Sequence, residues 1–247
     1  MHEMTDVEHW DANWATKPSA KLPSGLVVGT RNLQRLLRRH IKPGMQVLEA
    51  GCAPGKMLAW VDRALGAKVA GLDYSPRGAE VTRWLLGELH VQGDIRCESI
   101  FSTSFGPATF DVVYSAGLVE HFEDPHEIIA AHLRLVRRGG VALIIIPNYG
   151  GVYGLIQRYL DAPNLKIHNL EIMNERALYE LAPSGTSTEA KSYRFGSISP
   201  WMLSLQRKWG IFGIGICYAV NAIALLQPVD INALCPLLVL ELRQIGE

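Results

Sequence analysis

The sequence predicts an α/β fold, a doubly wound sheet of parallel strands with an irregular cap inserted after the fifth strand. Three observations carry this. Short apolar runs alternate with helical ones from Gln46 to Ile146, an order that lays parallel strands beneath crossover helices. A glycine turn, 51-GCAPGK-56, directly follows the first apolar run, where such sheets bring bare backbone up to a ligand. After Pro147 the regularity stops, and the mixed stretch 148–199 reads as an insertion over the ligand-binding end.

The elements follow in order. Trp10 and Trp14 can share one face of a short N-terminal helix and act as a lid or as an anchor. In 26-LVVGTRNLQRLLRRHI-41 the apolar residues Leu26, Leu33, Leu36, Leu37 and Ile41 fall near one stripe, and Pro43-Gly44 ends it. Residues 1–44 are therefore expected to be N-terminal helices and lid. The core, 45–147, alternates strand 46–50, helix 56–65, strand 68–73, helix 76–89, a short strand ending near Glu98, strand 110–115, helix 125–136 and strand 141–146. Ser75-Pro76 and Asp124-Pro125 put proline in a first helical turn behind a capping side chain. Arg138-Gly139-Gly140 ends the later helix as a glycine cap would. Within the insertion, 183-PSGTST-188 is rich in turn formers. Residues 200–247 are expected to hold a last helix after Ser199-Pro200 and then two strands that complete the sheet.

The run 209-WGIFGIGICYAVNAIALL-226 approaches the length of a membrane span, but Asn221 and three glycines interrupt it. It is read as core, with a weak peripheral membrane contact as the alternative. Composition narrows the classes further. At 247 residues and 48% apolar content the chain can bury one sizeable core. Lys plus Arg, 24, equals Asp plus Glu, 24, so there is no overall field to gather a polyanion and no nucleic-acid partner is expected. Four scattered cysteines without a CxxC pair argue against a zinc ribbon or a disulfide framework. They suit a cytoplasmic protein, and the acidic start MHEMTDVEHWDANW does not read as an export signal.

The glycine turn discriminates among nucleotides. A P-loop needs four residues between its glycines and then Lys-Ser or Lys-Thr, whereas three intervene here and Met57 follows Lys56. A dinucleotide fingerprint would need glycine at positions that hold Ala53 and Lys56, and Pro54 has no amide hydrogen for a pyrophosphate. A nucleoside without phosphates is the better fit, which also disfavours an NAD-dependent dehydrogenase. Asp73 ends the next strand about 20 residues on, where an acid can accept from ribose hydroxyls, although it could simply cap the following helix. Glu49 is either a satisfied core carboxylate or an orienting group for the loop or for a cationic ligand.

Four stretches in this order, 47-VLEAGCAPG-55, 71-GLDYSP-76, 110-FDVVYSAGLVEHFEDP-125 and 134-RLVRRGGVALIIIPN-148, resemble the class I S-adenosylmethionine-dependent methyltransferases of small-molecule type. The resemblance implies a mostly parallel seven-stranded sheet, the Rossmann-like methyltransferase fold, with an antiparallel strand near the C-terminus. It implies S-adenosyl-L-methionine as cofactor, with Glu49, Gly51, Cys52, Ala53 and Gly55 around its methionine part and ribose. Asp73 would take the ribose hydroxyls and Tyr74 the adenine, Glu98 and Ser99 would lie near the adenine amino group, and Ser115, Ala116 and Gly117 would form the floor.

Methyl transfer asks mainly for positioning, and a base helps only when the acceptor is a poorly acidic hydroxyl. His121, just past the fourth strand, is the candidate catalytic residue, against a purely structural role. Its spacing from His126 and His132 does not suggest metal ligands, and no metal is expected. Tyr149 and Tyr153 could border the acceptor. The expectation is O-methylation of a metabolite or saccharide-like small molecule. The alternatives are N- or C-methylation in a natural-product pathway and a non-catalytic nucleoside-binding or scaffold protein.

Overall fold

The structure, a computed structural model, describes residues 3–184, 187–227 and 230–245; Gly185 and Thr186 of the turn-rich patch lie outside them. In chain order the elements are α1 (Val7–Asn13), α2 (Val28–His40), β1 (Gln46–Ala50), α3 (Lys56–Leu65), β2 (Lys68–Leu72), α4 (Pro76–Glu88), β3 (Gly93–Arg96), β4 (Phe110–Ala116), α5 (His126–Leu135) and β5 (Val136–Pro147). Then come α6 (Val152–Leu160), α7 (Ala162–Leu165), α8 (Glu175–Glu180), β6 (Thr188–Phe195), α9 (Leu205–Leu225) and β7 (Leu237–Gln244).

One seven-stranded sheet runs β3-β2-β1-β4-β5-β7-β6. The pairs from β3 to β5 are parallel, and β7 is antiparallel to both β5 and β6. Apolar residues on both faces explain the continuous runs in the sequence. On one face Leu48, Val113, Ile144 and Leu240 join Ile128 and Ile129 of α5. On the other, Val47, Val112, Leu143 and Val239 join Leu36, Leu58 and Leu85 of α2, α3 and α4. Each such side chain contributes about 1.5–3 kcal/mol on leaving water, which holds the strand ends rigidly where the site is built. The chain order reverses direction at β1, with β2 on one side and β4 on the other, and that switch point is where open α/β sheets bind ligands.

Three expectations need correction. The segment 188–195, assigned to the insertion, is strand β6, so one strand precedes the last helix and one follows it. As an edge strand with alternating, half-exposed residues, it lacks the apolar run that marks the inner strands. The glycine pair at 139–140 does not cap α5, which ends at Leu135. Gly139 (φ +74°) instead lies inside β5, and a side chain at Gly140 would meet the Asp111 carbonyl at 2.7 Å. The apolar run 209–226, which lies in helix α9 up to Leu225, is core only along the stripe of Gly213, Cys217, Asn221 and Ala224, while Phe212 and Ile223 are 79% and 70% exposed.

Candidate active site

The ends of β1, β2 and β4 and the N-terminal segment enclose a cavity of about 240 Å³. Gly51 turns the chain at φ +70° and Gly55 starts α3 at φ +85°, where an added Cβ would stand 2.7 Å from Thr82 Cγ2. Both positions therefore require glycine, and the turn presents backbone to the cavity. Asp73 closes it from β2. Its Oδ2 accepts the Ala53 N–H at 3.0 Å and its Oδ1 the Ser75 N–H at 3.0 Å. Burial raises the Asp73 pKa, and those two amide bonds oppose the rise. Helix capping falls to Ser75, whose Oγ accepts the Gly78 N–H, so Asp73 joins two loops and still has lone pairs for a ligand.

Of the twelve binding residues expected from sequence, Gly51, Ala53, Asp73, Tyr74, Glu98, Ser99, Ala116 and Gly117 line this cavity. Glu49, Cys52, Gly55 and Ser115 do not line it. Glu49 lies buried beside Tyr114, its pKa pushed up to about 8 by burial, which Tyr114 opposes. Cys52 is buried with its Sγ 4.0 Å from Thr82 Oγ1. Ser115 is fully buried in β4. These residues shape the turn from behind. Glu98 is a partial correction: its carboxylate already accepts the Ser104 Oγ–H at 2.6 Å, the Ser104 N–H at 2.8 Å and the Thr103 Oγ1–H at 2.9 Å, which lower its pKa. It is committed to the 103–104 loop.

Trp10 and Trp14 line the cavity, as does Glu3. The N-terminal segment is tied down by the Met4 N–H donating to the His121 carbonyl and by Asp11 of α1, whose Oδ1 accepts the Ser75 Oγ–H at 2.5 Å and the Arg77 N–H at 3.1 Å. Asp11 thus sits at the N-terminus of α4, where the helix dipole favours an anion. Sequence reading missed it because a lone acid in a polar segment carries no signal of its partner. We expect Asp11→Ala to loosen this lid and raise the dissociation constant of a cavity ligand about fivefold, about 1 kcal/mol. Calorimetry on the variant checks this, and an unchanged constant would contradict the clamp.

A second cavity, of about 370 Å³, meets the first at Ala116 and Gly117. Its walls are apolar at Leu33, Ile145, Ile146, Met202 and Leu237, and polar at Glu120, His121, Tyr149 and His168. His121 Nδ1 lies 2.8 Å from the Ile167 carbonyl, so it carries the hydrogen and leaves the Nε2 lone pair free. Burial first, and then His168, push the His121 pKa down to about 4, and burial pushes Glu120 up to about 8. At neutral pH the imidazole is an uncharged acceptor and Glu120 is largely protonated. Trp10 of the lid meets the His121 ring edge-on at 5.1 Å. The expectation of no metal ligands must be widened: Glu120, His121 and His168 each offer one ligand atom, all within 4.8 Å of one another, a set that could accept a divalent ion. Sequence spacing could not show this, because His168 arrives from the insertion. Tyr149 borders the cavity as expected. Tyr153 is buried in the cap, its hydroxyl donating to the Leu234 carbonyl and accepting the Ser199 N–H.

The first cavity fits an adenosyl sulfonium. Its turn has no phosphate-binding amide at Pro54, its glycines leave room for a sugar, and Asp73 can accept from two hydroxyls.

Residues 48–144 match the family model described as a methyltransferase domain. The chain is 32% identical over 140 residues to the ubiquinone biosynthesis O-methyltransferase of Xanthomonas campestris pv. campestris (strain B100), covering 56% of each. It is 29% identical over 183 residues to the protein of the same name from Thiobacillus denitrificans, covering 74% of this chain and 70% of that one. It thus spans about half the length of the Xanthomonas relative. Among solved structures, geranyl diphosphate C-methyltransferase from Streptomyces coelicolor superposes with a TM-score of 0.59 at 15% identity, over 88% of this chain and 80% of that one. That likeness concerns the fold.

Proposed function

The chain carries a methyltransferase domain of the class I fold, and on that premise we propose that it moves the methyl group of S-adenosylmethionine to a hydroxyl oxygen of a small acceptor. The observation that carries this reading is the meeting of two cavities at Ala116 and Gly117, one suited to the adenosyl donor and one holding a free imidazole nitrogen. Oxygen is favoured because curated relatives near 30% identity are named O-methyltransferases. The predominantly apolar wall of the second cavity favours a hydroxyl on an apolar body, such as a phenol, over the saccharide also considered from sequence.

When bound, S-adenosylmethionine supplies an activated methyl on a sulfonium that leaves as a neutral thioether. Asp73 accepts the ribose hydroxyls, Ala116 and Gly117 leave an open floor between the cavities, and Trp10 and Trp14 exclude water. The Nε2 of His121 takes the acceptor's hydroxyl proton as the new oxygen–carbon bond forms. Its depressed pKa keeps it unprotonated at neutral pH, while Ile167 fixes the ring by holding Nδ1–H.

Incubating the full chain with methyl-labelled donor and a panel of phenols should give product bearing one labelled methyl on oxygen. Label found only on nitrogen or carbon would overturn the oxygen assignment, and no product with any acceptor would favour a binding protein. Asp73→Ala should weaken S-adenosylhomocysteine about 10- to 150-fold, about 1.5–3 kcal/mol, through lost charge-assisted bonds. An unchanged dissociation constant in calorimetry would refute the ribose role.

A further inference from the structure

We propose that the apolar face formed by α6 and α9 docks the protein reversibly onto an anionic lipid surface. Helix α9 is built inside out for water. Beyond the break at Gly210 the residues it buries are small or polar, Gly213, Cys217, Asn221 and Ala224, recurring at the three- and four-residue spacing of one helical stripe, and Leu205 is the large apolar residue buried before that break. Its large apolar residues face out: Ile211 is 78% exposed, Phe212 79% and Leu226 84%, and Tyr218 and Ile223 are exposed as well. Scattered exposed apolar residues are ordinary, but a whole helix face of them marks an interaction site. Helix α6 packs against α9 and adds exposed Leu155 and Tyr159.

Several observations choose lipid as the occupant. Neither Val152–Leu160 nor Leu205–Leu225 contains an Asp or Glu, while Arg158, Arg207 and Lys208 lie on them and are exposed. Arg207 is answered by Asp161 at 2.7 Å, which leaves Arg158 and Lys208 as the excess positive charge, and a two-fold contact with a second copy would bring that like charge together. An anionic headgroup layer answers it directly. Lys208 also lies over the Tyr159 ring, 3.5 Å from its centroid, joining a cation and an aromatic ring at the border of the patch, the pairing suited to a membrane interface.

The helix lies on the surface instead of crossing it. Gly210 breaks it with φ 52° and ψ −127°, leaving 211–225, about 22 Å at the α-helical rise, short of the roughly 30 Å of a bilayer core. It is also fastened lengthwise to the domain, with Asn221 accepting the Val28 N–H and donating to the Leu26 carbonyl, and Arg31 donating to the Leu225 carbonyl. The turn leading into α9 carries Met202, which walls the second cavity. Docking therefore brings that cavity's apolar wall beside the lipid, where an amphiphilic acceptor resides. This last step rests on the methyl-transfer reading; the docking itself does not.

The test is sedimentation of the full chain with vesicles of phosphatidylcholine alone or with about one-third phosphatidylglycerol, for the wild type and for the double variant Ile211→Glu, Phe212→Glu. Wild type should pellet with the anionic vesicles, less with the neutral ones and less as salt rises. The variant should lose at least about tenfold in partitioning while binding S-adenosylhomocysteine as the wild type does, which reports an intact fold. Equal sedimentation of variant and wild type would overturn the proposal. So would a wild type that ignores both vesicles, or one that forms a dimer in solution which the double substitution dissolves.

Discussion

His121→Ala is expected to lower kcat by about 10²- to 10⁴-fold, the ordinary contribution of a positioned base, with the affinity for S-adenosylhomocysteine nearly unchanged. His121 lines the second cavity and not the first. The pH profile separates a base from a filler. A histidine of ordinary pKa near 6.5 would lose half its activity near that pH. Burial beside His168 brings His121 down to about 4, so wild-type kcat should stay level from pH 8 to 6 and decline only below about pH 5. A variant with undiminished kcat, or a wild-type profile that breaks near 6.5, would remove His121 from the chemistry.

The second large effect is on stability. Folded, Glu49 and Glu120 keep their protons up to about pH 8, against 4.5 for an ordinary glutamate. The folded state then holds more protons than the unfolded chain, and stability falls as pH rises through that window. His121 and His132, held down to about 4 by burial, act oppositely and cost stability as pH falls from 6.5 to 4. The two pairs oppose each other between pH 4.5 and 6.5, and above 6.5 only the carboxyls remain. At about 1.4 kcal/mol per unit for each, the unliganded protein should lose on the order of 4 kcal/mol between pH 6.5 and 8. Urea titrations at the two pH values measure this, and Glu49→Gln or Glu120→Gln should each remove about half of the loss. Stability that rises over the same interval would mean that these carboxyls are already ionised.

What could be read in advance was local chemistry with fixed spacing. The glycine turn and Asp73 announce themselves because backbone without side chains and an acid one strand later are needed at set distances, and the structure puts Gly51, Ala53 and Asp73 on one cavity. Inner strands were legible because burial on both faces demands unbroken apolar runs. What escaped depends on contacts distant in sequence. His168 reaches His121 across the insertion, with ring centroids 4.8 Å apart, and Asp11 reaches Ser75 from the N-terminal helix. The polar edge strand β6 and the outward-facing α9 escaped for a related reason. Hydrophobicity along the chain shows that a residue can be buried, but which face is covered is decided by packing.

The most direct test of the central claim is calorimetry of the purified chain against S-adenosylmethionine, S-adenosylhomocysteine and NAD. One site is expected for each adenosyl compound with a dissociation constant within about 1 µM to 1 mM, weakened by Asp73→Ala, and no measurable heat with NAD. Tight NAD binding beside silence from both adenosyl compounds would contradict the claim.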